Sequence, residues 1–160
     1  MQKEISKKLQ EFLIKVGLRI ARRGEGALFV VGSVKYKTLV RQSVKAFNVL
    51  DNPKLLESLA LMDGAVVIDK KGILKAYGAM IKSTKTLKNF GTRHSAALSA
   101  SQNSNLVVIV SEEDRKVRIL QNGKMTMQFD ALEKNVEESV HSAVDLLESV
   151  GAGTIGPIST

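Results

Sequence analysis

The strongest indication of the fold is the apolar run Leu106-Val107-Val108-Ile109-Val110. Its five residues are apolar without alternation, which is typical of a central strand covered on both faces of its sheet. Shorter apolar runs at 27–31 and 66–68 predict two more buried strands, and residues 47–50 predict a weaker one. Because such strands need cover on both faces, the pattern favours an α/β fold.

Hairpins and helices follow outward from these strands. Two hairpins are predicted, one from 66–68 to 73–78 and one from 117–121 to 124–129 around Asn122-Gly123, a favoured two-residue turn. Apolar periodicity predicts helices from Ile5 to Gly24, from Lys54 to Met62 behind an Asn52-Pro53 cap, and over 132–147. The small residues 95–101 predict a helix packed close to the sheet. The order is helix, strand, helix, hairpin, helix, strand, hairpin, helix.

The expected inward-facing residues of these helices are spaced three or four apart. In the first helix they are Ile5, Leu9, Phe12, Val16 and Ile20; in the second, Leu55, Leu59 and Met62; in the last, Leu132, Val136, Val140, Val144 and Leu147. The stretches at 82–90 and 151–157 are predicted to be loop and loose tail. The fold class expected is a single α/β domain with a mixed central sheet and helices on both faces.

Composition narrows the class of protein. The 160 residues suffice for one core, and the absence of cysteine excludes disulfides and thiolate zinc sites. Charged residues interrupt the N-terminal segment, so it does not read as a signal peptide or a membrane span. A soluble, cytoplasmic protein without an integral membrane segment is expected.

The net charge of +8 favours an anionic partner, such as nucleotide, nucleic acid or anionic lipid, but does not choose among them. Basic residues dominate 1–129 and acidic residues dominate 130–160. With two Tyr, five Phe and no Trp, side chains that stack on single-stranded bases are scarce. We therefore expect no nucleic-acid partner.

Three motifs carry the candidate chemistry: Asp63-Gly64-Ala65, Gly91-Thr92-Arg93-His94 and Ser111-Glu112-Glu113. A carboxylate can hold a divalent metal or draw a proton from a hydroxyl. A helix start with a cationic side chain offers backbone N–H groups and positive charge to a triphosphate. Alone, each motif has an ordinary explanation, namely a turn, a solvated or capping pair and a strand exit.

Together, in this order and spacing, the motifs resemble those of the diadenylate cyclase family. The resemblance spans residues 63–113 and, more loosely, 27–129. It implies an enzyme, a nucleotidyltransferase that joins two ATP molecules into cyclic di-AMP and releases two pyrophosphates. It also implies a diadenylate cyclase-like catalytic domain at 25–150, between an N-terminal amphipathic helix at 1–24 and a flexible C-terminal tail at 151–160.

The resemblance also implies roles for residues. Asp63 would assist attack of the ribose 3′-hydroxyl on the α-phosphate of the facing ATP, and Arg93 and His94 would complete the catalytic set. The implied metal is Mg²⁺ or Mn²⁺, held by Asp63 and Glu113. The implied substrate-binding residues, which include the adenine-holding segment 78–81, are Gly64, Ala65, Gly78, Ile81, Gly91, Thr92, Ser95, Ser111 and Glu112. Since the product needs two reciprocal attacks, a face-to-face homodimer is implied.

Two departures from the family pattern leave alternatives open. Ser95 stands where the second motif commonly has another arginine, and Met62 stands where many members have a histidine. One alternative is therefore a catalytically weak or inactive sensor that binds ATP or cyclic di-AMP. Another is a basic RNA-associated module, whose binding would be salt-sensitive and indifferent to Asp63→Asn.

Overall fold

The protein is described by a computed structural model that covers residues 4–82, 92–103 and 105–152. Seven strands form one sheet in the order β2-β4-β3-β1-β5-β6-β7. β1 and β3 are parallel neighbours, and the other neighbouring strands are antiparallel. The strands are β1 (Ala27–Val31), β2 (Tyr36–Thr38), β3 (Ala65–Ile68), β4 (Leu74–Ile81), β5 (Leu106–Val110), β6 (Lys116–Gln121) and β7 (Lys124–Asp130).

Helices cover both faces of this sheet. The helices are α1 (Lys7–Arg22), α2 (Pro53–Ala60), α3 (Thr92–Ala100) and α4 (Val136–Ala152). Buried residues of α1, α2 and α4 form one core with one face of the sheet, while Ala97 and Ala100 of α3 pack on the other face. All five residues of β5 are buried. The predicted mixed sheet with helices on both faces is thus confirmed.

Local sequence signals work as predicted at two junctions. The Asn52 side chain accepts a hydrogen bond from the Leu55 N–H at 3.2 Å, with Pro53 at the first helical position of α2. Asn122 and Gly123 both have positive φ, at 51° and 74°, as a two-residue hairpin turn requires.

Several sequence predictions were wrong in detail. Residues 47–50 do not form a strand, because Asn48 makes a single bridge to Ile73 and its side chain then caps a 3₁₀ turn at Val49–Asp51. The closing helix starts at 136 rather than 132, because Asn135 has a positive φ of 61°, which an α-helix does not accommodate. Leu132 lies outside the helix and is exposed. Met62 is exposed because α2 ends at Ala60, and Leu56 is buried instead.

Strand β2 was missed, since three exposed or half-exposed residues at a sheet edge carry no apolar pattern. Strand β4 runs on to Ile81, beyond the predicted end at 78. Residues 83–90 of the predicted loop and 153–160 of the predicted tail lie outside the described residues, while 151–152 belong to α4. Among the helices that are described, none is long and apolar enough to cross a bilayer.

Candidate functional site

The sheet topology gathers the candidate residues at one edge. Ala65 opens β3 and pairs with Ala79 near the end of β4. Ala27, which opens the parallel neighbour β1, pairs with Val110 at the end of β5. The first motif, the segment 78–81 and the third motif therefore lie along the same edge. β3 and β5 are separated by one strand, which puts their ends about 10 Å apart.

Two glycines meet at the centre of this edge. Gly64 has φ +105° and Gly78 has φ +57°, a region that side-chain-bearing residues rarely adopt. A Cβ atom on Gly64 would lie 2.8 Å from the Gly78 carbonyl carbon and 2.8 Å from the Ala79 nitrogen. The turn that carries Asp63 can therefore rest on the backbone of β4 only because residue 64 has no side chain. The Asp63 carboxylate itself faces solvent.

A bulge in β4 produces this close approach. Ala65 pairs with Ala79 and Val67 pairs with Ala76, so Tyr77 and Gly78 together stand opposite the single residue Val66. The extra residue bends the strand and turns its end, residues 78–81, relative to the rest of β4. Bulges of this kind are frequent beside functional sites.

Helix α3 points its N-terminus at the same edge. Its C-terminal end is fixed at the opposite edge, where Ser101 accepts hydrogen bonds from the N–H groups of Asn122 at 2.7 Å and Gly123 at 3.0 Å. The helix packs on β5, β1 and β4 and therefore runs back toward Asp63. Thr92, Arg93, His94 and Ser95 form its first turn, and the backbone N–H groups at a helix start suit an anion; Gly91 lies outside the described residues.

The third motif forms an ordered turn after β5. The Ser111 N–H donates to the Lys116 carbonyl at 2.9 Å, and the Ser111 side chain hydrogen-bonds to the Asp114 carboxylate. Glu112 and Glu113 lie on the exposed outside of this turn. The structure thus places Ser111 at the strand end and both glutamates in solvent beyond it.

Asp114, which the motif analysis did not include, organises this turn. Its carboxylate lies 2.5 Å from the Arg118 guanidinium, and this hydrogen bond is the main reason why the pKa of Asp114 falls to about 2. The acid and the arginine are four residues apart, but they span a turn and the start of β6. Helical spacing rules therefore would not have identified the pair.

Exposed apolar side chains flank the two glycines. Leu39 donates its N–H to the Gly78 carbonyl at 2.8 Å, and a Cβ on Gly78 would lie 2.6 Å from a methyl of Val40. Met80 follows on β4, and Met62 precedes Asp63. All four side chains are at least 40% exposed. Exposed apolar groups near a carboxylate suit the face of a planar ring. Leu39 and Val40 were missed because their segment carries no motif.

The described residues contain no group of three or more His, Cys, Asp or Glu side chains placed to hold a metal. The Asp63 carboxylate is exposed to solvent. A carboxylate of this kind fits Mg²⁺ as nucleotide enzymes often bind it. One or two protein carboxylates coordinate the ion, and substrate phosphates and water take the remaining coordination positions.

Comparison with known proteins identifies similar sequences. Residues 17–125 match the family model described as DisA bacterial checkpoint controller nucleotide-binding. The chain is 28% identical over 145 residues to a diadenylate cyclase from Methanocaldococcus jannaschii, covering 79% of this chain and 47% of that protein. It is 33% identical over 112 residues to the diadenylate cyclase CdaS of Bacillus thuringiensis, covering 65% and 56%. The chain thus spans about half the length of these curated relatives.

Solved structures share the fold. A crystal structure of a double mutant of DacA from Staphylococcus aureus aligns over 89% of this chain and 94% of its own, with a TM-score of 0.56 and 23% identity. A hypothetical membrane spanning protein from Bacillus cereus aligns over 71% of this chain and 60% of its own, with a TM-score of 0.53 and 28% identity.

Proposed function

This chain belongs to the DAC family, the DisA bacterial checkpoint controller nucleotide-binding domains, and from that membership we propose that it is a diadenylate cyclase. The proposed reaction joins two ATP molecules into cyclic di-AMP. Each 3′-hydroxyl oxygen bonds to the α-phosphorus of the other ATP, and each bond from α-phosphorus to pyrophosphate breaks. Two pyrophosphates leave, and two hydroxyl protons pass to base or solvent.

One observation carries the proposal: the Asp63 turn rests on the end of β4, at the edge toward which α3 points its N-terminus. A carboxylate, an apolar surface and free backbone N–H groups are what ribose, adenine and triphosphate respectively need. We assign Asp63 to the 3′-hydroxyl and segment 78–81, including Gly78 and Ile81, to the adenine. At Gly64 and Ala65, the backbone would approach the nucleotide closely.

We assign the phosphates of ATP to the start of α3 and the end of β5. Arg93 would offset the charge that develops on the leaving pyrophosphate, with His94 beside it in sequence. Gly91, Thr92, Ser95, Ser111 and Glu112 would contact the phosphates. Mg²⁺ or Mn²⁺ bound with ATP, with Asp63 and Glu113 as its protein ligands, would polarise the reacting phosphate.

A second copy of the chain is needed in this scheme, because one domain would bind one ATP and each ATP must attack the other. We therefore propose a face-to-face homodimer as the active unit. Specific activity should then rise with protein concentration until the dimer is saturated. Specific activity that is flat down to nanomolar protein, with a monomer in sedimentation under the same conditions, would count against the dimer.

The test is incubation with ATP and Mg²⁺ or Mn²⁺, with the products separated by chromatography and identified by mass. The wild type should form cyclic di-AMP and pyrophosphate, and Asp63→Asn should form little or none. Asp51→Asn is the matched control, since Asp51 is also exposed but lies near the opposite edge of the sheet. Binding of ATP without any product would favour the sensor alternative. Neither binding nor product would contradict the proposal.

A further inference from the structure

On the β2 side of the bulge in β4, the hydrogen-bonding partner of Tyr77 is a side chain rather than a strand. β2 ends at Thr38, which pairs with Ala79, so the ladder on that side stops short of Tyr77. The Gln42 carboxamide takes the vacant place. Its Oε1 accepts from the Tyr77 N–H at 3.1 Å, and its Nε2 donates to the Tyr77 carbonyl at 2.8 Å. One side chain thereby makes both hydrogen bonds of a strand partner.

The Tyr77 side chain holds the same segment from the other direction. It is almost fully buried, and its hydroxyl accepts from the N–H groups of Ser43 at 2.7 Å and Val44 at 3.0 Å. The hydroxyl also donates to the Arg41 carbonyl at 3.1 Å. Residues 41–44 are therefore tied to Tyr77 by five hydrogen bonds, two through Gln42 and three through the phenol.

Direct contacts connect residues 41–44 and Tyr77 to the candidate site. Within segment 39–44, Val40 packs against Gly78. The backbone of Gly78 and Ala79 in turn packs against Gly64, the neighbour of Asp63. Neither glycine leaves room for even a Cβ atom beside these neighbours, so the segments pack closely and a shift of 39–44 would press on Gly78. No apolar pattern or motif of the sequence marks Gln42.

We propose that Gln42 and Tyr77 are positioning residues, which fix the bulge of β4 and through it the Asp63 turn. The proposal deepens the proposed cyclase function and rests on it for its kinetic consequence. Neither residue would touch the nucleotide. A displacement of about 1 Å at a reacting group can lower a rate on the order of a hundredfold, so loss of the Gln42 bonds should lower kcat.

The experiment compares Gln42→Ala with Gln10→Ala. Gln10 is a matched control, since its amide also donates to a backbone carbonyl, that of Ile5, but on α1. We expect kcat for cyclic di-AMP formation to fall roughly tenfold to a hundredfold in Gln42→Ala. Hydrogen exchange of peptides covering 63–65 and 77–81 should become faster. Gln10→Ala should leave both unchanged, and Tyr77→Phe should act in the same direction as Gln42→Ala.

A third variant separates positioning from a general loss of packing. In Gln42→Glu, a carboxylate accepts from the Tyr77 N–H but cannot donate to its carbonyl, whereas a protonated carboxyl does both. A free glutamate has a pKa of about 4.3, so protonation grows as the pH falls from about 8 toward 5. The kcat of Gln42→Glu, relative to wild type at the same pH, should therefore recover on acidification. A ratio that does not change with pH would contradict the proposal.

Failure of the two proposals can be told apart. If the wild type forms cyclic di-AMP and Gln42→Ala keeps the wild-type kcat, the positioning proposal is wrong and the cyclase function stands. If the wild type forms no product, hydrogen exchange is the only test of the positioning proposal. Unchanged exchange at 63–65 in Gln42→Ala then overturns the positioning, and faster exchange supports it.

Discussion

Gly64 lies against Ala79 so closely that a Cβ on the glycine would come within 2.8 Å of the Ala79 nitrogen and 3.0 Å of its carbonyl oxygen. Because these neighbours are backbone atoms, they cannot swing aside as a flexible side chain could. We therefore expect Gly64→Ala to cost about 1–3 kcal/mol of unfolding free energy and to abolish most of the proposed cyclase activity. Urea unfolding and product formation measure the two effects.

Gly72→Ala is the control for that variant. Gly72 also has a positive φ, of 96°, but lies in the β3–β4 turn at the opposite edge, where a Cβ would meet the Asn48 side chain at 3.2 Å. Gly72→Ala should lose stability because alanine disfavours this φ, and it should keep its activity per folded molecule. Equal activity losses in the two variants would mean that Gly64 matters for stability alone.

Asn105 should be among the most sensitive polar residues of the fold. It is only 3% exposed, and its amide accepts from the Ser33 N–H and donates to the carbonyls of Ser33 and Ala100. Asn105→Ala leaves these backbone groups without their partner and should cost about 2–3 kcal/mol. Ser33→Ala should cost little, because Asn105 binds only the backbone of Ser33. Chemical unfolding of both variants checks this.

Stability should depend on pH through Asp114. Its pKa in the fold is about 2 instead of 3.8, chiefly because of the hydrogen bond from Arg118. A lowered pKa stabilises the fold above about pH 4, and this contribution is lost as the pH falls from about 4 toward 2. Because the side chain is 40% exposed, solvent screening limits the contribution to less than about 1 kcal/mol.

Asp114→Asn tests this dependence. Its unfolding free energy should be slightly below that of the wild type at pH 6, and the two should converge near pH 2. Urea titrations across that range measure the difference. A gap that widens on acidification would refute the assigned direction.

Turnover should respond to a cation at position 95. Ser95 lies in the first turn of α3, toward the edge that holds Asp63. Ser95→Arg would add positive charge at the proposed phosphate end of the site, and we expect a severalfold rise in kcat of the proposed reaction. Ser95→Gln, which adds length without charge, should not raise it. A cation also disfavours a helix N-terminus by up to about 1 kcal/mol, so thermal stability should fall slightly.

Much of the fold follows from local pattern. The continuous apolar run of Leu106–Val110 gave its strand with both bounds correct, and Asn52-Pro53 and Asn122-Gly123 gave their cap and turn. Each of these signals is physical and local: burial on two faces, a capping amide, a positive φ. β2 and the start of α4 were not predicted, because pairing with β4 sets the first and the left-handed backbone of Asn135 sets the second, and neither appears in the apolar periodicity.

The family, the three motifs and most of the element order follow from the amino-acid sequence, because their signals lie in residues that are neighbours along the chain. The three-dimensional structure was needed to show that the first motif rests on the end of β4, that the third follows a strand ending at the same edge, and that α3 points there too. It also identified Gln42 and Tyr77, whose five hydrogen bonds join residues more than thirty positions apart. Such contacts depend on strand register and on a bulge, which arise only when distant segments pair.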